Sequence, residues 1–89
     1  MVPASLTENF INKLVTIYPN PTTGSFSIQL NSNEKHTLEV IDLTGKTVHQ
    51  QIIENGNAFI DGNILNNGIY TIKVYNNSGA ISKKLVILK

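Results

Sequence analysis

An all-β fold, a seven-stranded antiparallel β-sandwich of immunoglobulin-like type, is what this sequence predicts, on three observations. Apolar residues recur with period two in short runs, the pattern of half-buried strands. Gly, Asn and Pro turns separate the runs, and none holds a helical period over a useful length. The last run, Ala80 to Leu88, places Ile81, Leu85 and Ile87 on one face and Val86 and Leu88 on the other. Apolar side chains on both faces favour burial between layers over an open meander.

In chain order, Val2 to Lys13 mixes Pro3, Ser5, Thr7, Asn9 and Asn12 with a short cluster at Leu6, Phe10 and Ile11. It has no sustained period, so residues 1–13 read as a linker and 14–89 as the folded domain. A helical turn over Leu6 to Ile11 would be marginal alone. Val15 to Tyr18 and Phe26 to Leu30 then alternate as two strands joined by Pro19, Asn20, Pro21, Thr22, Thr23 and Gly24. The prolines fix φ near about −65° and push Tyr18 and Asn20 out of the helical region, and Gly24 is expected at positive φ.

Thr37 to Asp42 presents Leu38 and Val40 to one side, and Asp42-Leu43-Thr44-Gly45 predicts a type I turn closed by a glycine at positive φ. Lys46 to Ile53 should pair back antiparallel, with Val48 and Ile52 inward and an imperfect alternation that indicates an edge or a bulge. Asn55-Gly56 is a strong hairpin signal, and the short strand Asn57 to Asp61 should bury Ala58 and Ile60. Ile64 and Leu65 are expected to pin the following loop to the core. After the Asn66-Asn67-Gly68 turn, Ile69 to Tyr75 alternates cleanly as a central strand with Tyr70, Ile72 and Val74 inward. Asn76 to Gly79 turns the chain into the last strand.

Composition narrows the function classes. With 40% hydrophobic and 15% charged residues in 89, the chain is one small folded domain, too apolar for a disordered tail. No apolar run approaches the roughly 18 residues of a membrane span. A net charge of +1 with mixed signs supplies no field for nucleic acid or an anionic membrane. Cysteine is absent, which excludes disulfides, thiol catalysis and thiolate zinc sites. His36 and His49 fall on different elements, and Glu34, Glu39, Asp42, Glu54 and Asp61 form no motif with a histidine or a nucleophile. Asp61-Gly62-Asn63 lacks the later ligands of a calcium loop. We expect no catalysis, no cofactor, no metal and no small-molecule substrate.

Four blocks carry a family resemblance. Tyr18-Pro19-Asn20-Pro21-Thr22-Thr23-Gly24, Asp42-Leu43-Thr44-Gly45-Lys46, Gly68-Ile69-Tyr70 and Lys83-Lys84-Leu85-Val86-Ile87 occur in that order between Leu14 and Lys89. Each alone is a generic turn or strand. Together at these spacings they resemble the C-terminal sorting domain (type A) of the Bacteroidetes type IX, or Por, secretion system. The resemblance implies a non-catalytic address on an upstream cargo domain, recognised by the type IX translocon and an outer-membrane shuttle protein. It implies passage through the periplasm and a secreted or outer-membrane cell-surface destination. A sortase of the cysteine-peptidase type would cut at a junction within Val2 to Lys13 and anchor the cargo. Nothing between Met1 and Asn12 has the basic start and apolar stretch of a secretory signal, so the export leader is expected further upstream.

Against that background Asp42, Gly45, Gly68 and Tyr70 read as structural, with the Tyr70 hydroxyl bonded to backbone. Pro19, Asn20, Pro21 and Gly24 read as a rigid turn that also offers a preorganised contact surface. Lys83, Lys84, Leu85, Val86, Ile87 and Lys89 form a basic-flanked terminal strand, expected to have unpaired backbone and to dock on the shuttle by strand addition. The competing reading is a fibronectin-like or carbohydrate-binding accessory module of an extracellular enzyme, for which Tyr18, Tyr70 and Tyr75 make a thin aromatic platform.

Overall fold

The computed structural model describes residues 15–89; the 1–13 linker, its Leu6 to Ile11 turn and Leu14 lie outside the described residues. Seven strands form two antiparallel sheets. β1 (Val15–Tyr18), β2 (Phe26–Leu30) and β5 (Asn57–Ile60) make a three-stranded sheet in the order β1-β2-β5. β3 (His36–Ile41), β4 (Thr47–Ile53), β6 (Gly68–Asn76) and β7 (Gly79–Ile87) make a four-stranded sheet in the order β4-β3-β6-β7. One 3-10 turn, Gly62–Ile64, joins β5 to β6, and the described residues contain no α-helix.

The period-two residues of both sheets meet in one core. Phe26, Ile28 and Ile60 come from the first sheet and Leu38, Val40, Ile72, Leu85 and Ile87 from the second, all essentially inaccessible to solvent. Each such burial is worth about 1.5–3 kcal/mol, so this shared core is the main adhesive between the sheets. β6 lies between β3 and β7, the central position its clean alternation predicts. Ala58 and Ile60 face inward as expected.

Three expectations are corrected. Asn55-Gly56 does not close a hairpin, because β5 pairs with β2 and the turn carries the chain from one sheet to the other. Gly56 has φ 80°, its carbonyl accepts from the Leu30 amide at 2.6 Å, and a Cβ there would come within 3.0 Å of the Ser32 carbonyl oxygen. The turn chemistry was legible; the partner strand was not. Second, Val48 and Ile52 point outward while Ile53 is buried. The bulge between Val40 and Ile41 makes Val48 the surplus residue, which leaves His49 opposite Val40 and Gln51 opposite Leu38 on the inner face. The anticipated edge and bulge are both present, but the bulge reverses the parity on which the inward assignment rested. Third, Leu65 is buried as expected whereas Ile64 is exposed. The short turn, capped by the Asp61 carboxylate accepting from the Asn63 amide, directs only one of these two neighbours inward.

Candidate recognition site

The loop between β1 and β2 leaves the first sheet and lies along the outer edge of β7 in the second. Thr22 forms a parallel bridge with Ile87. Its amide donates to the Val86 carbonyl at 2.9 Å, and its carbonyl accepts from the Leu88 amide at 2.8 Å. One turn earlier the Asn20 side chain does the same work. Its Nδ2 donates to the Lys84 carbonyl at 2.8 Å and its Oδ1 accepts from the Val86 amide at 3.2 Å. The alternation of prolines with Asn20 and Thr22 explains the division of labour. Pro19 and Pro21 have no N–H to offer an edge, so the carboxamide of Asn20 and the backbone of Thr22 supply the ladder. Both prolines follow cis peptide bonds.

Thr22 is the one buried polar residue among those described, and its hydroxyl is fully used. It donates to the Ser25 carbonyl at 2.7 Å and accepts from the Gly24 amide at 3.1 Å, closing the loop on itself. Gly24 is not at positive φ, and a Cβ there would meet nothing, which corrects the expectation placed on it. The obligatory glycine is Gly62. A Cβ on Gly62 would lie 2.0 Å from the Gly24 carbonyl carbon, and the Gly62 amide donates to Ser25 Oγ at 3.2 Å. The β5–β6 turn is thus pressed onto the end of the loop.

The terminal strand differs from its expectation in one decisive respect. From Lys84 to Leu88 its outward backbone groups are already paired to Asn20 and Thr22, so this edge is not open for strand addition. Leu85 and Ile87 lie in the core, and Val86 is half-buried. The basic residues part company. Lys83 points inward beside Ile72, and its Nζ donates to the Val15 carbonyl at 3.2 Å, tying β7 to β1 across the sandwich. Lys89 folds back, with its Nζ donating to the Leu65 carbonyl at 2.6 Å and its amide to Asn67 Oδ1 at 2.8 Å. Lys84 stays exposed on the outer face beside the proline loop.

The Asp42 turn is closed by local hydrogen bonds. Asp42 Oδ1 accepts from Thr44 Oγ1, the Thr44 amide and the Lys46 amide, and the Gly45 amide closes the turn on the Asp42 carbonyl with φ 90° at Gly45. The Thr44 hydroxyl first, then the Lys46 amide, holds the Asp42 carboxyl below its ordinary range. Gly68 also has positive φ, at 155°. The Tyr70 ring is buried with its hydroxyl donating to the Asn66 carbonyl at 2.7 Å.

Sequence reasoning did not find the roles of Thr22 and Gly62. The Pro-Asn-Pro-Thr alternation was a usable signal for Thr22, since it spaces the bonding groups two apart as a strand would. It also missed a polar cluster on the outer face of the four-stranded sheet. There the Tyr75 hydroxyl donates to Glu39 Oε2, Thr47 Oγ1 donates to Glu39 Oε1 at 3.0 Å, and Lys73 Nζ sits 5.1 Å over the Tyr75 ring. The Tyr75 bond is the main cause that lowers the Glu39 carboxyl, and the same bond raises the Tyr75 phenol. Among the described residues no group of three or more His, Asp or Glu could hold a metal, and no helix is long and apolar enough to cross a membrane.

A family model described as "Secretion system C-terminal sorting domain" matches residues 16–88. This chain belongs to that family. The sorting domain so identified is a type IX secretion signal, and the match spans all four motif blocks. It is 28% identical over 75 residues to the ulvan lyase NLR42 of Nonlabens ulvanivorans, an alignment that covers 83% of the chain but only 14% of the lyase. The region shared with that enzyme is therefore a small part of it. Its fold is similar to part of PorZ, a surface component of the type IX secretion system of Porphyromonas gingivalis, with a TM-score of 0.69 at 17% identity over 84% of the chain and 11% of PorZ. The accessory-module reading is not favoured by these matches.

Proposed function

We propose that the sorting domain presents the proline loop and the terminal strand to the type IX export machinery as one fused surface, not as two separate signals. The observation that carries this reading is the pair of Asn20 bonds to Lys84 and Val86, which brings two blocks far apart in sequence side by side. Pro19, Asn20 and Pro21 with Lys84 supply the outward contact. Leu85, Val86 and Ile87 shape the strand beneath, while Lys83, Lys89 and Gly24 hold it in place. The partners of this surface are the translocon and its outer-membrane shuttle protein. The cargo precedes the domain, passes through the periplasm, and reaches the medium or the cell surface after a cysteine-peptidase-type sortase cuts within the 1–13 junction. Residues 14–89 act as one non-catalytic unit. The strand order, three plus four with each crossover changing sheet, supports the immunoglobulin-like form of the sandwich.

The test is export of a periplasmically targeted fluorescent reporter fused ahead of the full chain, in a host with a working type IX system. Deleting the last strand is uninformative, because it removes Leu85 and Ile87 from the core. Lys84→Glu reverses the exposed charge without touching the fold, and a Pro19→Ala/Pro21→Ala pair alters the loop surface. The intact fusion should leave the cell, and Lys84→Glu should leave at least about tenfold more reporter in the periplasm at unchanged melting temperature, equivalent to about 1.4 kcal/mol of lost binding. Normal export of both folded variants would place the contact elsewhere.

A further inference from the structure

We infer that β4 is a self-complementary pairing edge through which two copies of this chain join their four-stranded sheets antiparallel, an inference independent of the sorting role. Exposed strand edges are ordinarily guarded by charge, proline, shortness or a covering segment. β1 and β5 are four residues each. β7 carries two lysines and is covered by the loop from Pro19 to Thr22. β4 is seven residues long, Thr-Val-His-Gln-Gln-Ile-Ile, with no Lys, Asp, Glu or Pro, and its only guard is the bulge at Val48. It leaves Val48 and Ile52 exposed on the outer face.

The sequence around Gln50 reads as its own partner. An antiparallel pairing centred on Gln50 sets Gln50 against Gln50, Val48 against Ile52, and His49 against Gln51 of the second copy. Each half of the two-fold contact therefore contributes one apolar pair on the outer face, a combination that stabilises neighbouring strands. No like charges face each other in this register. A two-fold axis repeats every contact, which is the commonest form of protein self-association. A contact made through one strand edge is smaller than a standard interface of roughly 1,200–2,000 Å², so the dimer is weak.

Sedimentation of the full chain from about 10 μM to 1 mM tests this, since that range brackets the weak affinity expected for a small interface. The average mass should rise from monomer toward dimer. Ile52→Lys, which installs on β4 the guard that β7 carries, should weaken association at least about tenfold while the chain stays folded. Val48→Lys should weaken it by a similar factor, because Val48 meets Ile52 of the second copy in this register. A monomer throughout the range, or a dimer indifferent to Ile52→Lys or to Val48→Lys, would overturn the proposal. So would amide shifts on dilution that map to Gly79–Ser82 instead of Thr47–Ile53, because the self-contact would then belong to the start of β7.

Discussion

The two edges of the four-stranded sheet are finished in opposite ways. β7 is closed by a distant segment, with Asn20 and Thr22 reaching it from the first sheet over more than sixty positions of sequence. β4 is fastened only locally, through the Asp42 turn to β3 and through Thr47 to Glu39 on the same strand pair. A guarded edge thus costs the chain a dedicated loop, and the loop then becomes the most distinctive surface of the molecule. An edge left to local bonds stays available for pairing.

The largest expected disruption of this asymmetry is at the support beneath the loop. Gly62→Ala would place a methyl group 2.0 Å from one backbone atom of Gly24 and 2.1 Å from the carbonyl oxygen. Backbone on both sides leaves no flexible side chain to yield, so the β5–β6 turn and the loop must separate. The expected cost is about 3 kcal/mol, at the upper end for overpacking. For a domain of this size that lowers the melting temperature by at least about 12 °C, measurable by calorimetry. Gly24→Ala, where the added Cβ meets nothing, should fall within about 0.5 kcal/mol of the parent and serves as the control.

Asn20→Ala is the more selective break. It removes both side-chain bonds to β7 while leaving Thr22 in place, for an expected loss of about 1–2 kcal/mol from two exposed hydrogen bonds. The Val86 amide should exchange with solvent much faster, while the Leu88 amide, held by the Thr22 carbonyl, changes little. Equal acceleration at both amides would mean that the two halves of the clasp open as one unit.

Most of the strand positions were legible because period-two alternation depends only on which side chains must be dry. Phe26, Ile28, Leu38, Val40, Ile72 and Val74 declare themselves in that way. The pairing of elements was less legible. Asn55-Gly56 encodes a backbone conformation, φ 80° at the glycine, and that conformation serves a crossover between sheets as well as a hairpin. Likewise Lys83-Lys84 reads as one basic pair, yet alternation sends the first lysine in to Val15 and the second out to solvent. The clasp itself was the least legible feature. It joins Asn20 to Lys84 through a carboxamide acting as backbone, and no local periodicity reports such a contact.

The smallest expected effect separates the edges by chemistry. The β4 side carries ionisable groups in its side-chain bonds to β3, and the β7 clasp is made of a carboxamide and backbone. In the folded protein the carboxyl of Glu39 is lowered by the Tyr75 hydroxyl and then by Thr47, and that of Asp42 by the Thr44 hydroxyl and then the Lys46 amide. A carboxyl lowered by folding stabilises the native state above its unfolded range, and this contribution is lost as pH falls through the folded value. Stability should therefore decline below about pH 4. Tyr75→Phe should flatten that decline by freeing Glu39 of its main partner. Asn20→Ala should lower stability equally at pH 7 and pH 3, since neither Asn20 nor its partners titrate in that window. Urea midpoints of the three proteins at the two pH values decide it. An Asn20→Ala deficit that shrinks in acid would show that the clasp and the acidic cluster are one coupled unit, with the two edges of the sheet held by a single network.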